Sequence, residues 1–371
     1  MRGVWSIAAL LVGACTFGSP GGSGGADGDD DSGPGTSTSS TDPTATSPST
    51  ASASATTSAS AETGPTSGPS DDTTTTTTAG TATTESTSGT GEDSGSGTGE
   101  PQLPRGPFDA GQPLTPLNDP NADEDDPTLR GDLLEIVFNS TRNGTPDLFV
   151  STRTTDTDPW DAPVPIVELN DAAYVETTPE LSLDGLTMLF ASDRPPSVQN
   201  DVWITTRPAL DQPWTPPVRL PELSSDWQDF APTVVDDQTM FFCSDRDMDT
   251  ANLLDVWVVD GFDLRAPAFG SLTRSATFST SSDDCSVAMS ADGREILWET
   301  NRAGGMGDWD LWTATRDDPS APWQNLAPVD NVNATWQDND PWLSPDATQL
   351  YFASGFAADH DLFVAIRQEG E

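Results

Sequence analysis

Hydrophobic positions are spread very unevenly along this chain. After a short apolar run at Val4 to Val12, residues 16 to 105 are almost wholly Ser, Thr, Gly, Ala, Pro and Asp. Beyond Phe108 the pattern changes to apolar runs of about six residues, set between Gly-, Pro- and Asp-rich stretches. Runs such as Leu186-Thr-Met-Leu-Phe-Ala and Gln238-Thr-Met-Phe-Phe-Cys are too short for packed helices and rich in aromatic and β-favouring residues, so they predict buried strands. Before each stands a tight-turn signal: Asp184-Gly185, Asp236-Asp237, Asp292-Gly293 and Asp346-Ala347, with a degenerate Gly131-Asp132 ahead of the first. Asp-Gly between apolar runs predicts a hairpin, because Gly tolerates positive φ.

The runs belong to a repeat. Asp147-Leu-Phe-Val, Asp201-Val-Trp-Ile, Asp255-Val-Trp-Val, Asp310-Leu-Trp-Thr and Asp361-Leu-Phe-Val follow one another at intervals of 54, 54, 55 and 51 residues. The strand ahead of each ends in Ser140-Thr-Arg142, Ser192-Asp-Arg194, Ser244-Asp-Arg246 or Thr300-Asn-Arg302; the fifth reads Ser354-Gly-Phe356, without Arg. A first strand opens at Pro127, Pro179, Pro232, Val287 and Pro341, and a fourth is marked by Trp160, Trp214 and Trp323. Four short strands per unit of about fifty residues is the signature of a propeller blade. The last unit ends at its third strand, while Phe108 stands 19 residues before Pro127, as Trp160 stands 19 before Pro179. Residues 108 to 118 are therefore expected to supply the outer strand of the last blade, closing an all-β ring of five four-stranded blades.

Over about residues 127 to 367, Pro179-Glu-Leu-Ser-Leu-Asp-Gly, Leu189-Phe-Ala-Ser-Asp-Arg and Asp201-Val-Trp resemble the Pro-Asp type of WD-like propeller repeat found in TolB-like proteins of diderm bacteria. The resemblance implies the fold. It leaves function open, since propellers host binding proteins, scaffolds and several enzyme classes.

Three residues before each first-strand start stands a carboxylate: Glu124, Glu176, Asp229, Asp284 and Asp338. These are expected to form an acidic collar at the channel mouth, on the face where Arg142, Arg194, Arg246 and Arg302 end the second strands. Two readings follow. The arginines pin the carboxylates as structural ion pairs, or surplus carboxylates hold a hard cation such as Ca²⁺, with Asp338 and Asp340 of the Arg-free fifth unit as the candidate metal ligands. Tyr174, Trp227 and Trp336 occupy equivalent positions beside the collar, and Trp309 a neighbouring loop; they are either rings for stacking on sugars or packing between blades.

Composition narrows the chemistry. Sixty acids stand against fifteen arginines and no lysine, a net charge of −45, which argues against nucleic acid as a partner and removes Schiff-base chemistry. His360 is the one histidine, so a Ser-His-Asp triad or a multi-histidine metal centre is nearly excluded. A glycosidase needs only two suitably placed carboxylates and stays open. No cofactor is required. Of three cysteines, Cys243 and Cys285 fall at one face of adjacent blades and either form a disulfide or stand as two buried thiols.

The third, Cys15, follows Val12-Gly13-Ala14 at the end of the apolar run. This resembles a bacterial lipobox and implies a signal peptide at 1–14, a lipid on Cys15, a disordered linker over 15–105 and the propeller over 106–371. Thr16 in place of Asp resembles the sorting pattern for the outer membrane, on its surface or its periplasmic leaflet. The resulting expectation is a non-catalytic, membrane-anchored binding module that engages a polysaccharide, peptidoglycan or a protein partner through one propeller face. The alternative is a propeller-type glycoside hydrolase.

Overall fold

The computed structural model describes residues 103, 105–236, 238–247, 253–264, 268–356 and 359–368. The expected signal peptide, Cys15 and all of the linker but Leu103 and Arg105 lie outside the described residues.

Among the described residues, twenty strands form five antiparallel four-stranded sheets arranged as blades of a propeller. Blade 1 comprises β2 (Glu124–Leu129), β3 (Glu135–Ser140), β4 (Asp147–Thr152) and β5 (Val164–Pro165). Blade 2 follows with β6 (Glu176–Leu181), β7 (Thr187–Ser192), β8 (Asp201–Thr206) and β9 (Val218–Arg219). Blade 3 holds β10 (Asp229–Val234), β11 (Thr239–Ser244), β12 (Asp255–Asp260) and β13 (Leu272–Arg274). Blade 4 holds β14 (Asp284–Met289), β15 (Glu295–Thr300), β16 (Asp310–Thr315) and β17 (Gln324–Pro328). Blade 5 takes β18 (Gln337–Leu343), β19 (Gln349–Gly355) and β20 (His360–Ile366) from the end of the chain, and its outer strand β1 (Gln112–Pro113) from the start. The pairing Gln112↔Val364 and Pro113↔Phe363 is extended by a bridge from Phe108 to Arg367, so the ring closes as the spacing of Phe108 requires.

Each hairpin turn is built the same way. An aspartate Oδ1 accepts the backbone N–H two residues on, at Asp132, Asp184, Asp236, Asp292 and Asp346. Where described, the next residue is left-handed: Leu133, Gly185, Gly293 and Ala347. The first turn is thus Asp132-Leu133, one residue later than the Gly131-Asp132 reading, and a leucine occupies the position that glycine fills most easily.

Every inner strand carries a bulge in mid-course, at Asp126, Thr178, Ala231, Ser286 and Asp340, all with positive φ. Four of these precede a proline, which disfavours the right-handed helical region for the residue before it. The bulge turns the backbone N–H toward the preceding blade: Thr178 donates to Asn139 Oδ1, Ala231 to Thr178 Oγ1 and Asp340 to Glu299 Oε2.

The core is distributed over the seams. Ile136, Phe138 and Phe149 of blade 1 pack on Trp342, Tyr351 and Leu362 of blade 5, and comparable apolar layers fill the other four seams. The disulfide Cys243–Cys285 ties β11 to β14. Arginines ending the third strands add inter-blade ion pairs: Arg207 with Glu135 at 2.7 Å and Arg367 with Glu295 at 2.9 Å. They also stack on aromatic residues of the outer segments: Arg153 on Trp160, Arg207 on Trp214, Arg316 on Trp323 and Arg367 on Phe108. Arg105 pairs with Asp292 and Glu295 of blade 4.

Candidate functional site

The five collar carboxylates are not at the channel mouth. Glu124, Glu176, Asp229, Asp284 and Asp338 are fully buried at the start of their inner strands. They sit opposite the Ser or Thr that ends the second strand: Ser140 Oγ donates to Glu124, Ser192 to Glu176, Ser244 to Asp229 and Ser354 to Asp338. In blades 1 to 4 an arginine completes the unit. Arg142, Arg194, Arg246 and Arg302 pair with Glu124, Glu176, Asp229 and Asp284 of their own blades, and lie over the rings of Phe138 and Phe149, Phe190 and Trp203, Phe242 and Trp257, and Trp298 and Trp312. Each also donates to a carbonyl of the segment entering its blade: Leu117, Leu169, Leu223 or Phe278. Burial still holds these four carboxyls above their ordinary range. The reason they leave the mouth is that a carboxylate with a hydroxyl, an arginine and a backbone amide as partners can be buried, and the repeat supplies all three.

Blade 5 is built differently. Phe356, in the arginine position, is 76% exposed, and Trp336 donates its indole N–H to Ser354 Oγ at 3.0 Å instead. Without a guanidinium, burial pushes Asp338 up to about 6. Asp338 and Asp340 do not act together as metal ligands: Asp338 turns into the blade toward Ser354, while Asp340 faces Ser286 and Asp126.

The aromatic set also divides. Trp309, 1% exposed, packs with Phe230, Leu254 and the disulfide, so it is not a ligand-facing ring. Trp336 is 48% exposed, and Tyr174 and Trp227 are half-buried. Among the described residues none of these four rings stacks on another of the set.

The concave feature is the central channel, a cavity of about 570 Å³ lined by all five inner strands. Its lining runs from the bulges to the exposed hairpin turns at Leu183, Asp236 and Ala291. Pro127, Pro179, Pro232, Val287 and Pro341 form an apolar ring, and the bulge residues form the floor. The floor breaks the repeat. Its five equivalent positions read Asp126, Thr178, Ala231, Ser286 and Asp340, which places two carboxylates side by side at the seam of blades 1 and 5. Ser286 Oγ donates to Asp340 at 2.9 Å, Thr177 Oγ1 to Asp126 at 3.2 Å, and Glu299 Oε2 accepts the Asp340 N–H at 2.9 Å. None of the three pairs with an arginine among the described residues. Burial, followed by the charge of Asp340, raises Asp126 and Glu299 well above the carboxylate range. On the blade 2 wall, burial pushes Glu180 up to about 8, against hydrogen bonds from the Val234 N–H and the Thr128 hydroxyl.

Sequence reasoning sought a carboxylate repeated in every blade and so found the structural set. The channel set occurs once per ring, and its signal is a departure from the repeat at aligned positions: Glu299 stands where the other second strands have Asn139, Ala191, Cys243 and Ala353.

Next to the floor, His360 lies at the seam of blades 5 and 1, with Nδ1 3.2 Å from Asp123 and 3.2 Å from Asp125. Burial, the largest single effect, would lower the imidazole, but the charges and hydrogen bonds of Asp125 and Asp123 together outweigh it and raise His360 to about 11.

No family model matches the sequence, and no curated protein does. Solved structures do match the fold. A putative TolB from Agrobacterium tumefaciens is 15% identical, with a TM-score of 0.40, over 63% of this chain and 70% of its own. An α-L-arabinofuranosidase from Podospora anserina, in complex with cellotriose, is 13% identical, with a TM-score of 0.48, over 71% of this chain and 97% of its own. A family 117 glycoside hydrolase from Zobellia galactanivorans is 12% identical, with a TM-score of 0.48, over 72% and 92%. At these identities the likeness concerns the ring of blades and not its chemistry.

Proposed function

We propose that this protein is a binding module of the cell envelope that receives the end of a glycan, or of a protein partner's chain, in its central channel. The observation that carries this reading is the channel itself: a cavity of small-ligand size with an apolar wall and a few convergent polar groups on its floor. The paired collar and the buried Trp309 cannot meet a ligand, so the binding surface moves from the collar face to the channel and its hairpin-turn rim. The anchor in this reading is a lipid on Cys15 in the outer membrane, and a flexible linker of about ninety residues gives a reach of roughly 50 Å. A chain without lysine and with a net charge of −45 suits uncharged or cationic partners and not nucleic acid.

One observation favours a second reading, a glycoside hydrolase. Among the described residues Asp126 and Asp340 have no arginine partner, and burial raises Glu180 on the same cavity wall to about 8, which suits a general acid.

A glycan array probed with the full chain, with reducing-sugar release scored on every hit, tests both. Binding lost in Asp340→Asn without product release supports the module. Product release lost in Asp340→Asn and in Glu180→Gln supports the hydrolase. Binding that survives Asp340→Asn but is lost in Trp336→Ala returns the site to the collar face.

A further inference from the structure

The chain's one histidine lies where the ring closes. His360 opens β20 of blade 5, with its side chain 3% exposed, and faces Asp123 and Asp125 at the entrance to β2 of blade 1. Its Nε2 lies 3.1 Å from Gln337 Oε1. With the carboxamide oxygen assigned to that contact, Nε2 carries a hydrogen, and Nδ1 is the atom presented to the two aspartates, holding between them a proton that a cation would displace. At these ion-pair distances Nδ1 still makes no hydrogen bond to either aspartate, and the buried Asp125 Oδ1 accepts none from any group. Nδ1 and one oxygen of each aspartate, three possible ligand atoms, all lie within 4.8 Å of one another.

We propose that His360 Nδ1, Asp123 Oδ1 and Asp125 Oδ1 hold one divalent cation of the zinc class, which fastens blade 5 to blade 1. The distances carry the idea. Two bonds of about 2.0–2.1 Å meeting at a tetrahedral angle separate their donor atoms by roughly 3.3–3.4 Å. The nitrogen stands 3.2 Å from each oxygen, close to that separation.

The neighbouring contacts suit a metal. The Nε2–H contact to Gln337 fixes the ring and its tautomer, and the His360 backbone N–H donates to Asp123 Oδ1 at 2.8 Å, fixing that carboxylate. The Asp125 side chain is 18% exposed, which leaves a side for water as a fourth ligand. An imidazole nitrogen with two carboxylates favours zinc-class ions over Ca²⁺, which takes six to eight oxygens. Nothing in this arrangement depends on what the channel binds.

The test is calorimetric titration of the chelator-treated full chain with ZnCl₂, in excess Mg²⁺ to saturate the acidic surface, with Co²⁺ absorption as the spectroscopic readout. Expected are one ion per chain, a zinc-dependent rise in Tm, and a Co²⁺ band for mixed nitrogen and oxygen ligation. Asp125→Asn, which keeps the side-chain shape, and His360→Gln should each abolish the band and the rise in Tm. Gln337→Leu should keep the site but weaken it about 10- to 100-fold. Stoichiometric binding that persists unchanged in both Asp125→Asn and His360→Gln would place the ion elsewhere on the acidic surface and overturn the proposal. So would the absence of any zinc-dependent change in a folded wild-type chain.

Discussion

Trp336 donates its indole N–H to the Ser354 hydroxyl, the group that in the other blades accepts from an arginine Nε. One blade has thus exchanged a charged partner for a neutral one while keeping the buried carboxylate beneath it. The two kinds of blade should differ in how much stability they lose when that carboxylate's charge is removed. Asp284→Asn leaves Arg302, mostly buried, without its counter-charge, and should destabilise the fold by about 3–5 kcal/mol. Asp338→Asn removes a carboxylate that has no guanidinium and should cost about 1 kcal/mol or less at neutral pH. Urea unfolding of the two variants side by side checks the difference.

Trp309 and Trp336 should separate in the same assay. Trp309→Ala empties a buried site beside the disulfide and is expected to cost about 3–5 kcal/mol. Trp336→Phe keeps the ring, loses one hydrogen bond and should cost about 1 kcal/mol. Equal effects would mean that Trp309 is not part of the core.

Reduction of Cys243–Cys285 releases a crosslink spanning 42 residues. Loop-closure entropy puts the loss near about 4 kcal/mol. Denaturation midpoints of the Cys243→Ala/Cys285→Ala double variant, compared with the oxidised wild type, measure it.

Glu180 gives a pH dependence with a definite sign. Its folded value, about 8, lies above its ordinary 4.5, so across that interval the folded chain holds a proton that the unfolded chain has released. Stability from this group is therefore fully present below the unfolded value and is lost as pH rises through the folded one, at up to about 1.4 kcal/mol per pH unit. Glu180→Gln keeps the hydrogen-bonding shape and should flatten the stability profile between about pH 6 and 8 relative to wild type. Parallel profiles for the two proteins would show that Glu180 ionises normally.

The sequence by itself determined the ring. Short continuous apolar runs, Asp-led turns and an Asp-aromatic marker returning every fifty-odd residues act through local backbone preference and hydrophobic burial, and each recurs often enough to be read without knowing its neighbours. The displaced outer strand at Phe108 was legible for the same reason, since its spacing to Pro127 repeats that of Trp160 to Pro179. Only the tertiary structure decided which carboxylates matter. A carboxylate's role depends on whether an arginine and a hydroxyl reach it across a hairpin, and on which way its strand bulges. Glu124 and Asp126 are two residues apart, yet one is ion-paired with an arginine inside a blade and the other lies on the channel floor, hydrogen-bonded to Thr177 with no arginine partner among the described residues. His360, Asp123 and Asp125 are brought together by ring closure alone, because the first and last blades of a closed repeat touch although they stand more than two hundred residues apart in the chain.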